Sequence, residues 1–197
     1  MTAQKTNEHS DDELFRQMKA GDEAAFIALY RRWQNGIYRF ALRLSGSEAV
    51  AEDVTQEVFM VLMNDASRYD SGKGSLVAYL YGIARFQALK RMQKDRTMIS
   101  LDDDNWEFTS DHLMMNADPL LDLSRQEMVK SVRDAILVLP VHYREVVVLC
   151  ELQELSYADA ANVLGCAIGT VRSRLHRARG LLVDKLRPVA DQAIAKA

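Results

Sequence analysis

An all-α chain of two small helical domains joined by an acidic linker is what these 197 residues predict, and three observations carry that expectation. Apolar residues recur at i, i+3 and i+4 through most of the sequence, and no segment sustains the alternation of a strand. Serine and aspartate stand where helices would start, and glycine where they would stop. Residues 99–123 hold seven acids and no base, lack helical periodicity and contain Pro119, which reads as a linker. The resulting divisions are a polar tail at 1–13, a helical domain at 14–97, the linker at 98–123, a second domain at 124–188 and a tail at 189–197.

Ser10 followed by Glu13 forms a capping box for the first helix, and Gly21 stops it. A second helix from about Asp22 to Ser45 places Phe26, Leu29, Tyr30, Trp33, Ile37, Phe40, Ala41 and Leu44 on one face, and Gly46 ends it. The third, about Ser47 to Ala66, has Val50, Val54, Val58 and Val61 along one side, and Glu52, Asp53, Gln56, Met60 and Met63 along the other. Polar and flexible apolar groups mixed on an exposed face suit a partner helix, although an ordinary surface helix would look similar. After the loop Arg68 to Gly74, Ser75 caps a fourth helix reaching about Arg96. Its inner side carries Leu76, Tyr79, Leu80, Ile83, Ala84 and Leu89, and cations gather towards its end. Tyr79 and Tyr81 are read either as core or as stacking platforms for unpaired bases beside those cations.

Beyond the linker, Ser124 and Glu127 form a further capping box, and Pro140 separates that helix from one at about Val141 to Leu152. Ser156 then caps a short helix whose Ala158, Ala161 and Leu164 make a narrow inward face. Gly165 stops it, and Cys166 to Gly169 form a tight turn. In the next helix, about Thr170 to Leu186, Val171, Leu175, Ala178 and Leu182 form one stripe. The opposite side presents Ser173, His176, Arg177 and Gly180, flanked by Arg172, Arg174 and Arg179. Residues 172–187 hold six bases and one acid. An aliphatic back with a basic front is what insertion into a major groove requires, because arginine can pair with guanine while its neighbours take phosphates. A solvated basic face is the alternative for the charge alone; the small-residue helix and glycine turn before it favour a helix-turn-helix.

The strings Leu139-Pro140, Tyr143-Arg144-Glu145, Leu155 to Ala161, Leu164-Gly165 and above all Gly169 to Arg179 resemble region 4 of bacterial sigma factors, within the small extracytoplasmic-function group of the sigma-70 family. Ala51 to Phe59 resembles the motif with which region 2 grips the clamp helices of core RNA polymerase. Ala78 to Arg85 is similar to the promoter-melting segment, and the loop Tyr69 to Ser75 to the one that receives a base flipped from the −10 element. Here the chain has Tyr79 and Met63 where the family often has tryptophan, Val61 and Gly82 where it has a basic residue, and Phe86 where it has asparagine.

The resemblance, over about 14–97 and 124–187, implies an alternative sigma factor. Asp53, Gln56 and Glu57 would hold the polymerase. Arg172, Ser173, His176 and Arg177, with Arg174 and Arg179, would read −35 DNA. Asp70, Ser71, Lys73, Tyr79 and Arg85 would serve the −10 element. Core RNA polymerase, promoter DNA and an anti-sigma protein wedged against regions 2 and 4 are the implied partners. The same resemblance would thread the acidic linker near the polymerase active site; as composition alone it is equally a solvated tether.

Composition sets the other expectations. The net charge of −3 makes any nucleic-acid affinity a matter of local charge. No run of 18 apolar residues and no apolar N-terminal stretch predict a cytoplasmic protein without membrane insertion. Two cysteines and four scattered histidines suggest neither a disulfide framework nor a metal site. With neither a phosphate loop nor a nucleophile motif, no cofactor and no enzyme activity are expected. The rival readings are an autonomous helix-turn-helix regulator, which would need a dimer interface for paired half-sites, and an enzyme with a helical tail.

Overall fold

The computed structural model describes residues 9–99 and 119–195. Among them every regular element is a helix: α1 (Asp11–Lys19), α2 (Glu23–Ser45), α3 (Glu48–Asn64), α4 (Leu76–Ile99), α5 (Pro119–Leu137), α6 (Val141–Val147), α7 (Tyr157–Leu164) and α8 (Ile168–Ala195). A 3-10 turn at Ala66–Arg68 follows α3, and a π turn at Val148–Leu152 continues α6. Most of the acidic stretch and the first eight residues lie outside the described residues.

The helix boundaries follow local chemistry. Ser10 accepts from the Glu13 N–H, Asp22 from the N–H groups of Ala24 and Ala25, and Ser47 from Val50, each satisfying a donor that the first turn leaves unpaired. Gly46 ends α2 at φ +77, and Gly165 ends α7 at φ +61, conformations that cost glycine nothing.

Four expectations are corrected. The helix after the linker begins at Pro119, so Ser124 is not its N-cap; proline suits a first turn because its missing N–H would be unpaired there anyway. Ala158 is exposed, and the inward face of α7 is instead Ala160, Ala161, Val163 and Leu164. The tight turn is shorter than expected, since α8 starts at Ile168 and runs on to Ala195. Finally, α3 stops at Asn64, and a 3-10 turn covers Ala66.

In the first lobe, α2 and α3 pack on α1 and α4 around Leu29, Phe40, Leu44, Val54, Leu62 and Leu80, all at 0 % exposure. Tyr81 is also core: its ring meets Phe40 edge-on at 5.4 Å, and its hydroxyl donates to Gln153 Oε1 at 3.0 Å. Gly36 makes room for it, because a Cβ there would stand 2.7 Å from that hydroxyl. In the second lobe, Val171, Leu175 and Ala178 of α8 are buried on α5, α6 and α7.

The lobes are not separate. Their buried residues form one continuous cluster, with α4 lying on α7 and α2 on α5 and the π turn. Arg144 holds the seam. Its buried guanidinium donates to Leu44 O at 2.6 Å, Leu139 O at 3.1 Å and Leu137 O. Leu44 and Leu137 lie in the last turns of α2 and α5, where carbonyls lack helical partners and favour a cation.

Candidate nucleic-acid interfaces and a partner groove

The turn between α7 and α8 orients the basic face. Three side chains anchor the back of α8 in the core, so Arg172, Ser173, His176, Arg177 and Arg179 are exposed, and Arg174 is half-buried. The two flanks differ. Arg179 donates to Glu151 Oε1 at 2.5 Å, and the Arg172 guanidinium lies 5.9 Å from the centre of the Tyr157 ring, a cation–π contact. Both arginines are therefore preorganised against α7 and the π turn. His176 and Arg177 are held by no ion pair or hydrogen bond among the described residues, which leaves them available on the outer face. Ser173 bonds back to Thr170 O at 3.1 Å, and its oxygen can still accept.

The loop before α4 is a second candidate interface. Asp70, Ser71 and Lys73 are exposed on it. Asp70 Oδ1 accepts from the Gly72 N–H at 3.0 Å, and Lys73 Nζ is 3.5 Å from Asp70 Oδ2, so the tip is a compact turn. Its base rests on Tyr69, whose hydroxyl donates to Asp12 Oδ1 at 2.8 Å and to Gly74 O at 3.3 Å, while its ring meets Phe15 at 4.8 Å. Burial and the Asp12 bond push the Tyr69 hydroxyl well above its usual range. Tyr79 is half-buried beside Tyr69, with ring centres 5.4 Å apart. The loop and Tyr79 thus come together, whereas Arg85 turns aside: its Nε donates to Glu145 Oε1 at 2.7 Å.

A third feature also lies in the first lobe. Between α2 and α3 an open groove of about 520 Å³ is lined by Tyr30, Gln34, Tyr38, Gln56, Phe59, Met60 and their neighbours. Gln56 faces it directly. Asp53 and Glu57 do not line it: Asp53 is exposed and lies 3.5 Å from Arg91 of α4, and Glu57 accepts from Gln87 Nε2 of α4 at 3.4 Å, so both stand on the α4 side of α3. Met60 and Met63 are 47 % and 61 % exposed, an apolar cost that a covering partner would remove.

Sequence reasoning missed Glu145 and Asp159, which face the first lobe. The signal was a charged pair, Arg144-Glu145, set in the otherwise apolar run that continues to Leu149. Among the described residues no group of side chains could hold a metal ion, and no helix is long and apolar enough to cross a membrane. Cys150 is a poor nucleophile, since burial and Glu151 push its thiol up to about 11.

The chain has clear relatives among known proteins. Residues 29–97 match the model of sigma-70 region 2, and residues 130–182 that of sigma-70 region 4. The chain is 30% identical to the ECF RNA polymerase sigma factor SigW of Bacillus subtilis, over 87% of its own length and 94% of that protein's. It is also 30% identical to the RNA polymerase sigma-H factor of Pseudomonas aeruginosa, over 94% of its length and 98% of that relative's. Among solved structures it resembles the sigma factor RpoE of Bartonella quintana, crystallised with the anti-sigma factor NepR. The TM-score is 0.64 and the identity 28%, covering 78% of this chain and 91% of that one.

Proposed function

The chain belongs to the extracytoplasmic-function group of the sigma-70 family and is an alternative sigma factor directing transcription initiation; from that premise we propose how its residues divide the work. The first lobe holds core RNA polymerase through the α2–α3 groove and the adjoining exposed face of α3, with Asp53, Gln56 and Glu57 as the contacts. Helix α8 enters the major groove of the −35 element. Arg177, His176 and Ser173 reach the base edges, while Arg172, Arg174 and Arg179 position the helix on phosphates. The loop Asp70, Ser71 and Lys73 with Tyr79 and Arg85 serves the −10 element, where an unpaired base can stack on an aromatic ring while a cation follows the backbone.

The observation that carries this reading is the contrast within α8. Its apolar stripe is fully used by the core, and its basic face is presented outward. Within the second lobe Arg172 and Arg179 rest on Tyr157 and Glu151, while among the described residues no ion pair or hydrogen bond holds the side chains of His176 and Arg177. The protein does no bond-making chemistry and acts in the cytoplasm. An anti-sigma protein, as NepR is for the Bartonella factor, would restrain it.

The decisive experiment is run-off transcription from a genomic promoter library, with purified core polymerase and with or without the protein. Discrete new transcripts are expected only when both are present. Full promoter binding by the protein alone, with no effect of polymerase, would identify an autonomous regulator instead. Asp53→Ala tests the exposed face of α3: it should weaken polymerase capture in a pull-down while leaving helical content unchanged, and unaltered capture would remove Asp53 from the interface.

A further inference from the structure

The seam between α2 and α5 gathers cations without an acid to meet them. Residues 24–45 hold four arginines and no acid, and Arg39 and Arg43 stand one helical turn apart, where like charges repel. Helix α5 packs on α2, and Arg144 fixes how. Its guanidinium donates to Leu44 O and Leu137 O, which draws the last turns of the two helices together. Arg43 directly precedes Leu44, and Arg133 stands one turn before Leu137. Arg39 is exposed, whereas Arg43 and Arg133 are half-buried. Among the described residues no ion pair or hydrogen bond occupies any of these three side chains, not even with Asp134, the acid beside Arg133. The Arg133 Nε is buried with no acceptor. Burial, and then the nearby Arg133 and Arg39, hold the Arg43 guanidinium below its ordinary value.

A guanidinium taken partly out of water loses hydration that only an acceptor restores, and an anion restores most. Three such groups around one spot, with no carboxylate among them, attract negative charge. Arginine's planar fork matches phosphoryl oxygens in particular. The geometry points to a binding site for a small multivalent phosphate at the α2–α5 seam, held by Arg39, Arg43 and Arg133. Arg133 turning onto a phosphoryl oxygen gives its unmet Nε an acceptor, and one anion offsets the repulsion among all three. The ligand is a free polyphosphate or the phosphate end of a nucleotide, which offer the same oxygens. A nucleic-acid backbone fits less well, because it needs cations along a track rather than at one junction of two helices. The site goes beyond the polymerase and DNA roles proposed above and does not depend on them.

The test uses the full-length chain and inorganic pyrophosphate, with titration calorimetry and thermal unfolding at constant ionic strength. Wild type should bind one pyrophosphate and melt higher in its presence. Arg43→Gln and Arg133→Gln should each weaken binding by at least about tenfold, the factor one charge-assisted bond supplies. Arg31→Gln removes the same charge from an exposed position two turns earlier on α2 and should bind as wild type. Arg39→Gln, at an exposed position, keeps the test open if the half-buried variants fail to fold. Without anion it should melt no lower than wild type, because it relieves repulsion, yet it should gain less from pyrophosphate. An arginine of purely structural use would lower the melting temperature in both conditions. Tighter binding of a nucleoside diphosphate than of pyrophosphate would identify the nucleotide as the source, and the reverse order the free polyphosphate. No binding by wild type, binding kept by all the seam variants, equal weakening by Arg31→Gln, or the same stabilisation by sulfate overturns the site. So does a mixed-sequence single-stranded oligonucleotide that binds more tightly than pyrophosphate and is lost in Arg43→Gln, since the cluster then follows a nucleic-acid backbone.

Discussion

Arg177 and Tyr81 show how position decides what a residue type does. Arg177 is exposed, and among the described residues no acid pairs with it, so its donors are directed at whatever meets the outer face of α8. Arg177→Ala should cost about 1–3 kcal/mol at one −35 base pair, measured by competition between single-base variants with the holoenzyme. An equal loss on scrambled DNA would mean that it touches phosphate only. Tyr81 is the opposite case. Burial pushes its hydroxyl up to about 12, against a small opposing pull from Arg39. Its folded value lies above its unfolded value of 10.0, so its contribution to stability is complete below pH 10.0 and falls as pH rises towards about 12. The loss should approach about 2–3 kcal/mol. Tyr81→Phe should flatten that part of the alkaline unfolding curve, and an unchanged curve would show that the hydroxyl does not titrate late.

Helices register such details as packing. In the middle of α2, glycine is unfavourable by about 1 kcal/mol relative to alanine, yet Gly36 lies directly under Tyr81. Filling that space costs roughly 1–3 kcal/mol of overpacking, so the collision outweighs the propensity. Gly36→Ala should therefore lower the denaturant midpoint, and Tyr81→Phe in the same chain should recover much of the loss. Strict additivity of the two changes would disprove the contact. Helix α8 follows the same logic, since its inner stripe of Val171, Leu175 and Ala178 pins the rotation that turns its arginines outward.

At the scale of the molecule, the seam at Arg144 matters most. Three charge-assisted bonds to backbone carbonyls tie α2 to the end of α5 and the residues before α6. Arg144→Ala should cost at least about 2 kcal/mol, since each such bond contributes roughly 1.5–3 kcal/mol. Because the lobes share one core, calorimetry of wild type should give a single transition, and the variant should resolve into two. A variant melting in one step at the wild-type temperature would show that the seam is passive.

The residues alone determined the all-α class, the caps at Ser10, Ser75 and Ser156, the stops at Gly46 and Gly165, and the apolar stripe of α8. Each depends on neighbours three or four positions away, and that spacing is written in the chain. They also suggested the basic front of α8 and the mixed face of α3, since a face is a local property. Only tertiary structure decided that Tyr81 is core, that Arg179 is tied to Glu151, that Ala158 faces out, and that Arg85 meets Glu145 across 60 positions of sequence. Such pairings depend on how two lobes come together. No periodicity within either lobe encodes that, because it is set by the fit of whole surfaces and by charges with no local partner.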